Sequence, residues 1–230
     1  MKRIFSIVFV LLSMYCEAQT LQKRSIGSFN GISSASGIIV EITQGNEESV
    51  SVSATNDDYL INFKTIVENG ILKIYFDSKN WKDRNQKNLK LKAFVTYKAI
   101  SSVSVSSGSL LTATNTISHP TLKVSITSGA QFNADIKTDE LVLNQSRGSV
   151  SKITGSSTVV NAEISSGAIS NSQGLTTDRL TLKGSSGAVL KVTVNKKILA
   201  QLNSGAQLNF KGEAAIEKKR LSSGGSIRKI

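Results

Sequence analysis

Cysteine is all but missing: Cys16 is the only one in 230 residues. It closes an apolar N-terminal run, so the rest of the chain has no thiol for a disulfide or a metal. Histidine is as scarce, with His119 alone. One histidine and no second cysteine exclude the usual ligand sets of zinc and haem sites, and no cofactor is expected. A histidine-activated nucleophile would have to be built round His119, which sits beside Pro120 in a connection of variable length and reads as a surface turn. Pro120 is itself the single proline, placed between repeats where a missing N–H does no harm. Aromatics make up 6% of the chain, too few for a base-stacking surface, and the bases read as dispersed, so no nucleic-acid partner is expected. Neither a phosphate-cradling GxxxxGK[ST] nor a GxGxxG between strand and helix is found. Beyond the first dozen residues no apolar run approaches ~18, so no integral membrane helix is expected.

What the chain does have is a phrase that returns seven times. An alternating apolar run breaks and resumes at Ser107-Gly108, Ser128-Gly129, Arg147-Gly148, Ser166-Gly167, Ser186-Gly187, Ser204-Gly205 and Ser223-Gly224. The glycines lie 21, 19, 19, 20, 18 and 19 residues apart. A fixed period near 20 is the mark of a solenoid, each repeat one coil stacked on the last. Counted from each glycine, apolar residues fall on odd offsets: Leu122, Val124 and Ile126 before Gly129, then Ala130, Phe132, Ala134 and Ile136 after it. A period of two gives each strand one apolar face, and the phase survives the Ser-Gly step. Two strand segments therefore share one interior on either side of a bend. Even offsets carry Ser, Thr, Asn, Lys and Gln and read as the solvated outside. The small residue after each glycine, such as Ala130 or Ala168, suits a narrow inward corner. The expected fold is all-β, a parallel β-helix or β-solenoid with a less regular N-terminal portion.

Taken in order, residues 1–18 read as a secretory signal peptide. Lys2 and Arg3 precede an apolar run, and Cys16-Glu17-Ala18 offers a small-residue cleavage site. The rival is a lipoprotein signal with Cys16 lipidated, against which stands the bulky Tyr15. The protein is thus expected to be exported, to the periplasm, cell surface or exterior. Removing 1–18 takes away two basic residues and one acid, leaving a net charge of +11 from the original +12. Residues 22–98 read as a β-rich portion covering the end of the solenoid, with Asn69-Gly70 as a hairpin turn. Ser36-Gly37 echoes the later phrase and offers a first coil. Residues 99–230 form the solenoid proper. Charges near the C-terminus, among them Lys218, Lys219, Arg220 and Arg228, suit protection of an open strand edge.

Sites are few. Trp81 stands in a polar loop from Asp77 to Asn88, either as a ligand platform or folded over a core edge. Arg147 replaces the serine of every other coil and marks either a functional spot or a neutral change on a solvated corner. The stacked serines offer either a hydrogen-bonded ladder or a ridge of hydroxyls for a glycan. The acids of the coils have different offsets and do not stack into one cluster, so no catalytic residue is expected. The basic balance favours an anionic partner: an envelope or surface protein, or an acidic polysaccharide. The leading reading is a non-enzymatic adhesin-like or scaffold module at the cell envelope or surface. The alternative is a protein that binds or cleaves acidic glycans.

Three phrases carry a resemblance: Phe29-Asn30-Gly31-Ile32, Gly37 to Gly45 (GIIVEITQG) and Asn69 to Ile74 (NGILKI), followed by the Ser-Gly-Ala coils. Together they resemble the putative auto-transporter adhesin, head GIN domain family, over about residues 27–225. That resemblance implies a β-helical fold in two portions, an extracytoplasmic location and a role in adhesion.

Overall fold

The computed structural model describes residues 21–79 and 89–230. Residues 1–18, expected to be a signal peptide and containing Cys16, lie outside the described residues, as does Trp81.

The strands follow in chain order as β1 (Gln22–Arg24), β2 (Gly31–Ser34), β3 (Ile39–Gln44), β4 (Ser49–Ala54), β5 (Phe63–Glu68), β6 (Ile71–Phe76), β7 (Leu91–Tyr97), β8 (Ser102–Val105) and β9 (Leu110–Ala113). They continue with β10 (Ile117–Ser118), β11 (Thr121–Ile126), β12 (Gln131–Gln145), β13 (Val150–Ile164), β14 (Ile169–Gly184), β15 (Val189–Leu202), β16 (Gln207–Lys211), β17 (Ala215–Leu221) and β18 (Ser226–Lys229). A short 3-10 turn, Asp57–Ile61, joins β4 to β5. The fold is the expected β-solenoid. Neighbouring coils pair in parallel, as in Phe132↔Ser151↔Ser170 ahead of one corner and Leu141↔Val160↔Leu180 beyond it.

Each coil has two arms that meet at the Ser-Gly step. The arm before it runs through β2, β8, β11 and the second halves of β12 to β15; the arm after it runs through β3, β9 and their first halves. The odd-offset residues of both arms point inward, and Leu122, Val124, Ile126, Phe132 and Ile136 are all buried. Burying each such side chain contributes roughly 1.5–3 kcal/mol, which is what holds a coil with few internal contacts of its own to its neighbours.

The bend is a two-residue turn with both residues in the left-handed region. Ser128 has φ 56° and Gly129 69°, and the same pair of signs recurs from Ser36-Gly37 to Ser223-Gly224. Ala130 N–H closes the turn by donating to Thr127 C=O at 3.2 Å, and Ala168 does so to Ser165. Two positive φ values and this closure define a type I′ turn, the geometry that Asn69-Gly70 takes in the β5–β6 hairpin. Glycine alone does not make the bend: the residue before it must also accept a left-handed backbone, at a cost of roughly 1 kcal/mol for a side-chain-bearing residue.

That cost is offset along the stack. Each turn glycine donates its N–H to the carbonyl of the left-handed residue one coil on, Gly37 to Ser107, Gly108 to Ser128, Gly129 to Arg147 and so on to Gly205 and Ser223, all at 2.9–3.0 Å. Eight turns therefore stand in one column. The ladder expected of the serine hydroxyls is a ladder of backbone.

Two features depart from strict alternation. Inside, Gln145, Ser149, Ser151, Ser170 and Ser172 take odd offsets and are buried. Outside, the second residue after the glycine is aliphatic in several coils: Val150 and Ile169 are 37% and 38% exposed. The even offsets are thus not uniformly polar.

The N-terminal end is built out of chain order. The coil of β2 and β3 lies between β8/β9 on one side and β6/β7 on the other. Beyond β6 and β7 the pairing turns antiparallel, β5 on β6, β4 on β7 and β1 on β4. Arg24 in β1 ties this end down, its Nη2 donating to Leu60 C=O at 2.8 Å.

Candidate functional site

Three exposed features of the coils merit weighing: the ridge of turns, the groove along the opposite corner, and the distribution of charge.

On the ridge, both residues of each turn from Ser107 to Arg147 and on to Ser186 are exposed. Arg147 has φ 54°, the same as Ser166 next to it, and supplies the same ladder carbonyl. It stands in the column of turns with Ser128 one coil before and Ser166 one coil after. The structure brings no second candidate residue to it, and Trp81 lies outside the described residues.

The corner opposite the ridge forms an open groove of about 520 Å³ along four coils, lined among others by His119, Lys137, Asp139, Thr158 and Asp178. Its floor is made of hydroxyls that are already committed. Thr138 Oγ1 donates to Ser157 Oγ at 3.1 Å, and Ser157 in turn donates to Val159 C=O at 2.8 Å. Thr177 caps its own corner through Arg179 C=O at 3.1 Å. His119 folds back so that its Nδ1 meets the backbone of Thr121, and Pro120 C=O accepts the amides of both Asp139 and Glu140 at 2.9 Å. These are corner-building roles for short polar side chains. Asp139 and Asp178 share this corner two coils apart, so the coil acids are not as scattered as their offsets from the preceding glycine suggest. Among the described residues no three potential metal ligands come together.

Charge is where the coils differ most. Residues 99–178 carry four basic and five acidic side chains, whereas residues 179–230 carry eleven basic and two acidic. Nine units of the net +12 therefore belong to the last 52 residues, and the expectation of dispersed bases is corrected. Stacking concentrates this further, because strand spacing places successive coils only ~4.8 Å apart. Three of the eleven are neutralised, Lys196 by Asp178 at 2.8 Å, Lys197 by Glu217 and Lys229 by Glu213 at 2.8 Å. Among the described residues the other eight form no ion pair. Counting charge coil by coil would have found this in the sequence.

Comparison with known proteins agrees with this architecture. The sequence pattern of the family described as putative auto-transporter adhesin, head GIN domain, matches residues 28–214. No curated protein matches significantly. Among solved structures, a "putative adhesin" from Bacteroides fragilis superposes with a TM-score of 0.81 at 16% identity, covering 93% of this chain and 98% of its own. A "putative lipid binding protein" and a "putative adhesin", both from Parabacteroides distasonis, give TM-scores of 0.71 and 0.72 at 14% and 15% identity. Each covers 92% of this chain, and 96% and 97% of its own respectively. At these identities the likeness is one of fold. Among the described residues no helix is long and apolar enough to cross a membrane.

Proposed function

The chain belongs to the putative auto-transporter adhesin, head GIN domain family, and on that footing we propose that it is an exported, non-enzymatic solenoid that binds at the cell envelope or surface. One observation carries the reading: eight cations on the last coils that form no ion pair among the described residues, against a nearly neutral middle. A rod charged toward one end is attracted to, and oriented by, an anionic surface. Envelopes present such surfaces as phospholipid headgroups, phosphorylated lipids and acidic polymers. The family description and the adhesin and lipid-binding names of the similar structures support a binding role. Export rests on the signal-like residues 1–18.

The test is cosedimentation of the purified protein with isolated envelopes, with protease shaving of intact cells of the native organism beside it. Binding is expected at low salt and should fall steeply at ~0.5 M, where the screening length is only about 4–5 Å. Native protein recovered intact in the cytoplasmic fraction would sink the proposal.

A further inference from the structure

The outward side of the arm that follows each turn carries a second regularity, at the fourth residue after the glycine. Reading along the stack, that position holds Glu41, Thr112, Asn133, Lys152, Asn171, Lys191, Asn209 and Arg228. Backbone register makes them one column. Glu41 pairs Thr112, Thr112 pairs Asn133 and Asn133 pairs Lys152; Asn171 pairs Lys191, Lys191 pairs Asn209 and Asn209 pairs Arg228. The two runs meet where Ser151 and Ser170, the residues just before Lys152 and Asn171, are partners, and the β13–β14 register shifts directly after that pair. The preceding residues Phe132, Ser151, Ser170, Leu190 and Leu208 are buried, so this column faces out.

From Asn133 onward it alternates amide and cation. Lys152, Lys191 and Arg228 stand two coils apart in turn, roughly 9.6 Å at ~4.8 Å per strand. Among the described residues none of the three forms an ion pair. On one side runs the aliphatic column of Val150, Ile169 and Val189, in register by Val150↔Ile169↔Val189. On the other side lie Asp135, Thr154, Thr193 and Lys211, where Thr154 Oγ1 donates to Asp135 Oδ2 at 2.8 Å and Thr193 pairs Lys211.

We propose that this face binds a linear acidic polysaccharide laid along the solenoid axis, with one carboxylate on every second sugar ring. This rests on the reading of the protein as an envelope or surface binder, and names the polymer. The two-coil spacing is about the length of two pyranose rings, so the cations meet one acid per disaccharide. The asparagines between them face the ring hydroxyls, for which an amide supplies both donor and acceptor. The aliphatic column meets the C–H faces of the rings. A membrane surface or a folded protein would need no such repeat.

The purified protein is titrated at ~0.15 M salt with hyaluronan oligosaccharides (an acid on alternate rings), polygalacturonate (on every ring) and dextran (none). Hyaluronan is expected to bind best. Lys152→Ser and Lys191→Ser should each weaken it about fivefold, while Lys218→Ser with Lys219→Ser should not. Tighter binding of polygalacturonate would mean that charge density alone is read, and would overturn the proposal. So would indifference to Lys152 and Lys191 in variants with unchanged melting. Envelope cosedimentation separates the two readings. Protein that sediments with envelopes but ignores hyaluronan loses the column proposal and keeps the binding role; the converse loses the envelope.

Discussion

Two glycines of this solenoid look alike in sequence and do different things. Gly167 sits in an exposed turn with φ 68° and open space where a Cβ would go, so only its left-handed backbone resists substitution. Gly155, with φ 97°, lies mid-arm, where a Cβ would overlap the carbonyl oxygen of Ile136 on the previous coil. Gly167→Ala is therefore expected to cost about 1 kcal/mol and Gly155→Ala about 3 kcal/mol or more, because backbone must shift. Urea unfolding checks this; equal costs would refute the contrast. Tyr97 makes a different case. It is buried at the end of β7 with no partner for its hydroxyl among the described residues, and burial pushes its pKa up to about 12. The folded state then holds the proton more tightly than the unfolded chain does. Stability from this group is full below pH ~10 and is lost as pH climbs through 12. Tyr97→Phe should remove that loss, at most about 2–3 kcal/mol, and be neutral or stabilising at pH 7. Parallel stability curves for the two proteins from pH 8 to 11.5 would contradict it.

Strands of 14 to 16 residues run unbroken through a corner in β12 to β15, and they need something to fix where the interior is. The polar group inside the middle coils does part of that. Gln145 Nε2 donates to Ser149 C=O and Ile169 C=O, both at 2.9 Å, and its Oε1 accepts from Ser151 Oγ at 2.9 Å. Ser170 and Ser172 extend the chain, and Ile153 N–H donates to Ser172 Oγ at 3.2 Å. The amide thus ties the two arms of one coil across the Arg147-Gly148 turn and, through Ile169, joins that coil to the next. Gln145→Leu keeps the volume but takes the amide from Ser151 Oγ and Ile169 C=O, while Ser149 C=O keeps the Ile169 N–H at 3.0 Å, and it is expected to cost about 1–3 kcal/mol in chemical denaturation. A loss under about 0.5 kcal/mol would show that these groups find other partners. At the N-terminal end the antiparallel β4, β5 and β1 relieve the stack of a long parallel edge, ending it on three residues of β1 and on the charged hairpin strand β5.

Across the entire chain, winding, period and inward face were legible from local pattern, because a coil pairs only with its neighbours and repeats its own constraints. Ser36-Gly37 shows this well: two residues announced a turn that stands in the column with the other seven. What could not be read was the order of stacking. Residues 31–44 are packed between β6/β7 and β8/β9, and nothing in the alternation of Ile32, Val40 or Ile42 says which strands flank them. The candidate surface was half legible. Lys152, Lys191 and Arg228 were in plain view, yet they form a row only once register sets the fourth residue of one coil beside that of the next. Alternation decides which side of a strand faces water, since each side chain answers to its own solvation. Hydrogen-bonded register between coils decides which side chains become neighbours, and only the assembled stack contains it.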